Sequence, residues 1–414
     1  MMTAPLASLR TGSARSALGP FCVAGGTFLV TLILLQALDP ADFGLFAFLL
    51  VTINLGASLS NALVGAPLAV LASRAIPDPE ALGSIRTVGL ALAAAVGLGA
   101  YGCSLLLGSP EAAFPAAIFG TGSTLRWNMR SVAFSALRPE LVLRSDLSYA
   151  LVLLFPVFLA WSGETELRSV MWGFALASLI GWVLASSPGA PVPRLGVSAY
   201  RTVWRDKSRW TLLGVITTDA TANAHAYLVT ALAGPAAFAL MAAAMIAFRP
   251  VGVMSAALVQ YERPRMARAM VSGDHAGARA RADGLRLFLF VTWVIGSAIA
   301  ALFAIPALGL SSLLYPSSYD PRALAIASMI WAAIWLVRVL REPPSALLQA
   351  AGDFRPLALA SCVSAVVSVL SVLVLLALSG PVATLIGLLM GEIVFLWGAT
   401  RLASRLHPGE PKHG

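Results

Sequence analysis

Charge is scarce in this chain. Of its 414 residues only 11% are Asp, Glu, Lys or Arg and 58% are hydrophobic, whereas soluble proteins carry about 25% charged residues. So little charge does not cover a water-facing surface, and a mean hydropathy of +0.84 excludes the disordered and collagenous classes. Cysteine is scarce too: Cys22, Cys103 and Cys362 each lie in an apolar run without CxxC spacing or a neighbouring His. No disulfide framework or metal site is indicated, and the three read as small packing residues. Also lacking are a phosphate-cradling glycine loop and any Ser/His/Asp constellation. The chain therefore carries no ATPase engine, and no catalytic residue, metal or cofactor is assigned. Carboxylates are fewer than basic residues, 19 against 28, for a net charge of +9. No basic run interleaved with aromatics accompanies that excess, so nucleic acid is not a partner, and the explanation has to come from a lipid bilayer.

Apolar stretches of about 20 residues predict an all-α polytopic membrane protein with about 12 transmembrane helices, at 17–38, 43–64, 86–107, 112–136, 148–163, 169–187, 211–232, 237–260, 286–308, 322–340, 356–378 and 382–401. The first run follows Arg10 and Arg15 but is longer than a signal-peptide core and lacks a small-residue exit before Asp39, so it reads as an uncleaved span. An even count puts both termini on one side. With span-embedded residues assigned to their nearer loop, all of the 28 Lys and Arg but Arg168 and Arg322 fall on that side, Arg338 and Arg341 among them. The positive-inside rule then places both termini in the cytoplasm of a bacterial inner membrane. Outer loops are short, which leaves no room for an external catalytic domain. The largest inner loop is Tyr261 to Leu285.

The turn after span one, Leu38 to Ala47, returns in the turn after span seven, Ala233 to Ala242, with Pro, Ala, Phe, Leu and Ala in register. Each copy opens a six-span half, so orientation is preserved. Two six-helix lobes related by a parallel pseudo-two-fold repeat follow, the arrangement in which transporters bind substrate between halves. The organisation is then a cytoplasmic segment 1–16, an N-terminal lobe 17–187, a basic linker 188–210, a C-terminal lobe 211–403 and a tail 404–414.

An ionisable side chain at mid-bilayer costs about 2.5–3.5 kcal/mol, so each one needs a partner or a watery cavity. Asp219 in span seven and Arg249 in span eight both lie roughly 12 Å from the cytoplasmic boundary on the helical rise. They can pair, as structural neutralisation or as part of a site. Arg126 and Arg130 share a helical face, either snorkelling at a helix end or forming a fork for phosphate oxygens. Glu392, mid-span in the last helix, is either structurally silent or a titrating coupling carboxylate. His225, with Asn223 and Tyr227, reads as packing or as cavity lining. The ten tryptophans mostly lie near span ends, as in an interfacial belt.

Four segments carry a family resemblance. Leu38 to Leu45 resembles the "LGPEDFGLY" turn of Wzx-type polysaccharide flippases, within the multidrug/oligosaccharidyl-lipid/polysaccharide exporter superfamily. Pro264 to Arg268 with Ser272-Gly273-Asp274, Ala346 to Asp353, and Leu314 to Tyr319 resemble three later segments in the same order. In the second turn copy, Ala239-Leu240-Met241 replaces the family's Gly-Leu-Tyr. The resemblance implies a two-lobed transporter that flips an undecaprenyl-pyrophosphate-linked oligosaccharide outward by alternating access, as a monomeric transport unit. A polysaccharide polymerase and a chain-length regulator are the implied partners besides substrate and bilayer. A cationic cavity would take the pyrophosphate, a role that Arg126, Arg130 and Arg249 fit, with Asp219 and Glu392 for coupling. The runner-up is a drug/cation antiporter of the same superfamily, disfavoured by the excess of arginine over carboxylate at depth. A major-facilitator transporter is disfavoured because Gly65 to Val70 lacks that family's charged loop signature. A membrane-embedded glycan polymerase or ligase is disfavoured because its outer side would offer chiefly Glu164, Glu166, Arg168 and Arg322.

Overall fold

A computed structural model of the chain describes residues 4–68, 79–136, 138–163, 165–186, 196–304, 310 and 314–406. Its described secondary structure is helical. In chain order the helices are α1 (Ala4–Ala37), α2 (Pro40–Ser60, continued by a π-helical turn Asn61–Gly65), α3 (Pro79–Leu106), α4 (Pro110–Ser135), α5 (Pro139–Val152), α6 (Leu154–Ser162) and α7 (Leu167–Ala185). Then come α8 (Tyr200–Val203), α9 (Arg209–Ala233), α10 (Pro235–Met245), a 3-10 turn (Ile246–Phe248), α11 (Arg249–Val271), α12 (His275–Ala304), α13 (Pro321–Ala350), α14 (Phe354–Ser379) and α15 (Thr384–Ser404). Proline starts many of them because its missing N–H costs nothing in the first turn. Asp39 caps α2 by accepting from the amides of Ala41 and Asp42 at 2.9 Å, and Asp320 caps α13 the same way. Gly234 and Gly380, at φ 87° and 84°, take the left-handed turns before the next helix, where a side chain would be strained.

Ten helical stretches are long and apolar enough to cross a membrane, and α4 and α9, of 26 and 25 residues, are of spanning length too. The twelve expected spans each fall on this series, and the chain is a multi-pass membrane protein. Its outward surface is apolar in the manner of a lipid-facing wall: Leu287, Val291, Ile295 and Ile299 of α12 and Val363, Val366, Leu370 and Val374 of α14 are exposed, which water would not favour.

The structure corrects two expectations about the inner loops. The expected loop Tyr261 to Leu285 is a helical hairpin, α11 and α12, turned at Gly273 (φ 79°). Its Arg, Ala and Met residues are strong helix formers, so the helices do not stop where apolarity does. Helix α13 likewise runs through Pro343 and Pro344 to Ala350, past the expected end at 340. Arg338 and Arg341 are therefore helical and inward-turned, not loop residues. Of the expected linker, 188–195 lie outside the described residues, as do 1–3 of the N-terminal segment, Arg74, Glu164, Arg194 and the tail from 407.

The chain divides into two compact units, Met1–Val215 and Ile216–Gly414. In the first, α3 and α7 pack against α4, and α5 packs against α1 and α7. Phe46 and Phe119 pack with tilted rings against Phe174, at centroid distances of 5.5 and 5.1 Å. In the second, α15 packs against α13 and α14, and α12 against α11 and α13, around Val251, Leu285, Leu289 and Val339. Gly387 and Gly391 let α15 approach α14 closely: a Cβ on Gly387 would lie 2.6 Å from the Val372 amide. Small residues serve membrane helix contacts in this way.

Candidate functional site

In the first unit Arg126 and Arg130 rise from one face of α4 and converge on Asp146 of α5. Arg126 Nη1 donates to Asp146 Oδ1 at 2.9 Å, and Arg130 Nη1 donates to the same oxygen. Asp146 is 0% exposed and Arg126 3%. The guanidinium of Arg126 lies 4.1 Å from the Tyr149 ring centroid and that of Arg130 4.6 Å from that of Trp127, so each cation also sits on a π face. Two glycines close the cluster. A Cβ on Gly19 would lie 2.6 Å from Asp146 Oδ2, and one on Gly181 2.7 Å from Arg126 Cδ. The fork foreseen for an external anion is thus filled by Asp146, a partner that sequence reading had passed over just ahead of the expected span five.

The second unit repeats the device. Arg338 and Arg341 of α13 converge on Glu392 of α15, with Arg338 Nε donating to Oε1 at 2.7 Å and Arg341 Nη1 to Oε2 at 2.9 Å. Glu392 is 0% exposed. Arg338 lies 5.2 Å from the Trp335 ring and Arg341 4.7 Å from that of Phe395. Counted from the proline that starts each helix, Pro110 and Pro321, Arg130 and Arg341 occupy the same position.

The two clusters differ in access. Arg338, Arg341 and Glu392 border a cavity of about 330 Å³, together with Arg263, Glu342, Gln260, Ser255 and Trp335. Both carboxylates in its wall are engaged by arginine, since Arg341 Nη2 also donates to Glu342 at 3.1 Å. Arg263 donates to Gln349 at 2.6 Å. Three arginines face two committed carboxylates. The cavity wall holds a cationic surplus whose donors are pre-oriented for oxyanions.

The same turn-to-turn register that carries Pro40 onto Pro235 also carries Ser60-Asn61-Ala62-Leu63-Val64 of α2 onto Ser255-Ala256-Ala257-Leu258-Val259 of α11, four of five residues being identical. Ser255, Ala256 and Val259 line the cavity, so the duplication extends into its wall.

The fold is that of the MOP-superfamily transporters. The structure matches an inward-facing multidrug-resistance MATE transporter of that superfamily with a TM-score of 0.66 at 13% identity, covering 94% of this chain and 98% of the other. It matches the lipid II flippase MurJ in an inward closed conformation with a TM-score of 0.69 at 11% identity, over 94% and 87%. A MOP-superfamily transporter from Pyrococcus furiosus, described by a reverse polarity of its binding pocket, gives 0.61 at 11% identity over 95% and 96%. No protein-family model and no curated protein matches the sequence. These neighbours are transporters and flippases, not enzymes.

Within this MOP-type fold the sequence-derived residues fall as follows. Asp219 forms no ion pair with Arg249 among the described residues. Its oxygens accept from Asn223 Nδ2 at 2.8 Å and Tyr227 Oη at 2.9 Å, one and two turns along its own helix. Equal depth did not make the two face each other, because Asp219 is satisfied locally. Arg249 opens α11 after the 3-10 turn, half-buried, and is not in the cavity wall. His225 is 3% exposed, packed between Phe238 at 5.8 Å and Trp331 at 5.4 Å. Trp331, expected in the interfacial belt, is 1% exposed and donates Nε1 to the Met241 carbonyl at 3.0 Å. Arg263, Arg338 and Arg341 were missed as site residues because Arg338 was assigned to its nearer loop and the other two fell just past the expected span ends at 260 and 340. The signal was present: Arg338 and Arg341 share a face of a continuous apolar helix.

Proposed function

We propose that this protein flips an undecaprenyl-pyrophosphate-linked oligosaccharide across the bacterial inner membrane for polysaccharide synthesis, by alternating access. Arg263, Arg338 and Arg341 hold the pyrophosphate, in place of the Arg126, Arg130 and Arg249 that sequence alone suggested. One observation carries the reading: the cavity wall offers three arginines, and both its carboxylates already serve arginine. A cationic drug entering there meets no free carboxylate, whereas a pyrophosphate meets donors matched to its oxygens. The lipid II flippase among the structural neighbours supports a lipid cargo. The multidrug transporters of the same fold support the drug antiporter as the competing reading. The basic loop bias supports cytoplasmic termini, which puts synthesis and loading on the inner side. A polymerase and a chain-length regulator then act on the flipped product, and the protein performs no bond chemistry of its own.

Deletion of the gene tests this reading. Lipid-linked repeat units are expected to accumulate intact and to stay inaccessible to a periplasmic glycosidase. Chemically incomplete units in the deletion strain point to an enzyme instead. Unchanged units together with lost resistance to cationic drugs point to the antiporter.

A further inference from the structure

Helix α2 changes character halfway. Phe43 through Leu50 are buried on all sides. Beyond them Asn54, Ser58 and Asn61 are exposed, and their spacing puts them on one helical face. Asn54 is the middle residue of the span Pro40–Leu68. No side-chain hydrogen bond reaches any of the three among the described residues, whereas Ser60, on the other side of the helix, is buried and donates to Asn128 at 2.5 Å. Exposed amides without partners are costly in hydrocarbon, so this face meets water and not lipid. A second observation is independent of exposure. Under the internal register Asn61 corresponds to Ala256, a residue of the arginine cavity wall. The corresponding stretch of the second unit thus already borders a ligand-sized space. Where the second unit has Arg263 in that wall, the first has Leu68, so its version of the surface is uncharged.

We infer that Asn54, Ser58 and Asn61 form a binding face for an uncharged polyhydroxylated group, the glycan portion of the transported lipid. The inference rests on the flippase reading for the identity of the ligand. Amides and hydroxyls both donate and accept, which suits sugar hydroxyls. The face carries no charge, so it offers an anion no counter-charge.

Two measurements test this. In a protein with Cys22, Cys103 and Cys362 replaced by Ser, Asn54→Cys, Ser58→Cys and Asn61→Cys are introduced singly into proteoliposomes with a membrane-impermeant maleimide on both sides. All three are expected to label, and a lipid-facing control, Leu370→Cys, is not. Failure of the three to label above that control overturns the water-facing stripe. In the second, detergent-solubilised parent and Asn54→Leu/Asn61→Leu proteins are titrated with bare undecaprenyl pyrophosphate and with the lipid-linked oligosaccharide extracted from the deletion strain. The variant is expected to lose about tenfold in affinity for the glycan-bearing lipid, the size of two neutral hydrogen bonds, and to keep its affinity for the bare lipid. Equal affinities for both lipids in parent and variant overturn the inference, as does equal weakening of both. Arg338→Ala/Arg341→Ala separates the two proposals: if it retains full affinity for bare undecaprenyl pyrophosphate, the arginine assignment falls, and the stripe is still decided by the labelling.

Discussion

Replacing Glu392 by Gln removes the carboxylate that two arginines share, leaving Arg338 without a counter-charge and Arg341 with Glu342 alone. Glu392 is fully buried and each of its oxygens takes one guanidinium, at 2.7 and 2.9 Å. Breaking a buried ion pair from one side costs about 3–5 kcal/mol. Here the lower end applies, because the side chains of Arg338 and Arg341 remain 14% and 10% exposed and border a cavity of about 330 Å³. A loss of about 3 kcal/mol in a folding unit of roughly 200 residues lowers the melting temperature by roughly 6–12 °C. If the same arginines hold the substrate's pyrophosphate, Glu392 competes with it, and the variant should bind inorganic pyrophosphate more tightly than the parent. At a hundred times its Kd the ligand returns about 2.7 kcal/mol, which nearly cancels the deficit. The assay is thermal unfolding of purified parent and Glu392→Gln proteins in detergent across a pyrophosphate series. A variant as stable as the parent, with the same pyrophosphate shift, would refute the idea that carboxylate and anion share these arginines.

Asp146→Asn should destabilise the first unit by about 3–5 kcal/mol, since it leaves two sealed arginines facing one another; loss of monodisperse protein on size-exclusion chromatography reads this out, and retention of full stability contradicts the cluster. Gly387→Ala should cost about 1–3 kcal/mol by overpacking, because the new Cβ meets the α14 backbone at 2.6 Å, whereas Gly99→Ala, with nothing within 4 Å, should be neutral or slightly stabilising in thermal melts. Tyr227→Phe should cost about 1.5–3 kcal/mol by removing a donor from the Asp219 carboxylate, and Asp219→Asn should relieve that cost in a double-mutant cycle, which an independent pair of residues would not show.

Much of the fold was readable because membrane spans leave a strong signal: length, apolarity, and proline or aspartate at helix starts. The parallel repeat was visible at its turns, Pro40 and Pro235, where chain geometry constrains residues. It was overlooked at Ser60 to Val64, where the identities are one Ser and three ordinary apolar residues. The site was less readable for a physical reason. A hydropathy pattern gives depth along a helix but not the direction in which a side chain turns. Asp219 and Arg249 share a depth and do not pair. Arg126 and Arg130 were recognised as unusual, yet Asp146, 20 and 16 residues further on and in the next helix, was not. Arg338 and Arg341 were counted as loop charges because apolarity fades near 340, whereas the helix runs on through Pro343 and Pro344 to Ala350.

The most direct test of the central claim is flipping by the purified protein. In proteoliposomes loaded with the lipid-linked oligosaccharide from the deletion strain, the account predicts that parent protein exposes the glycan to an external glycosidase from both leaflets and that Arg338→Ala/Arg341→Ala does not. Parent vesicles in which only the outer leaflet is ever cleaved, yet which move a cationic drug against a gradient, would contradict it.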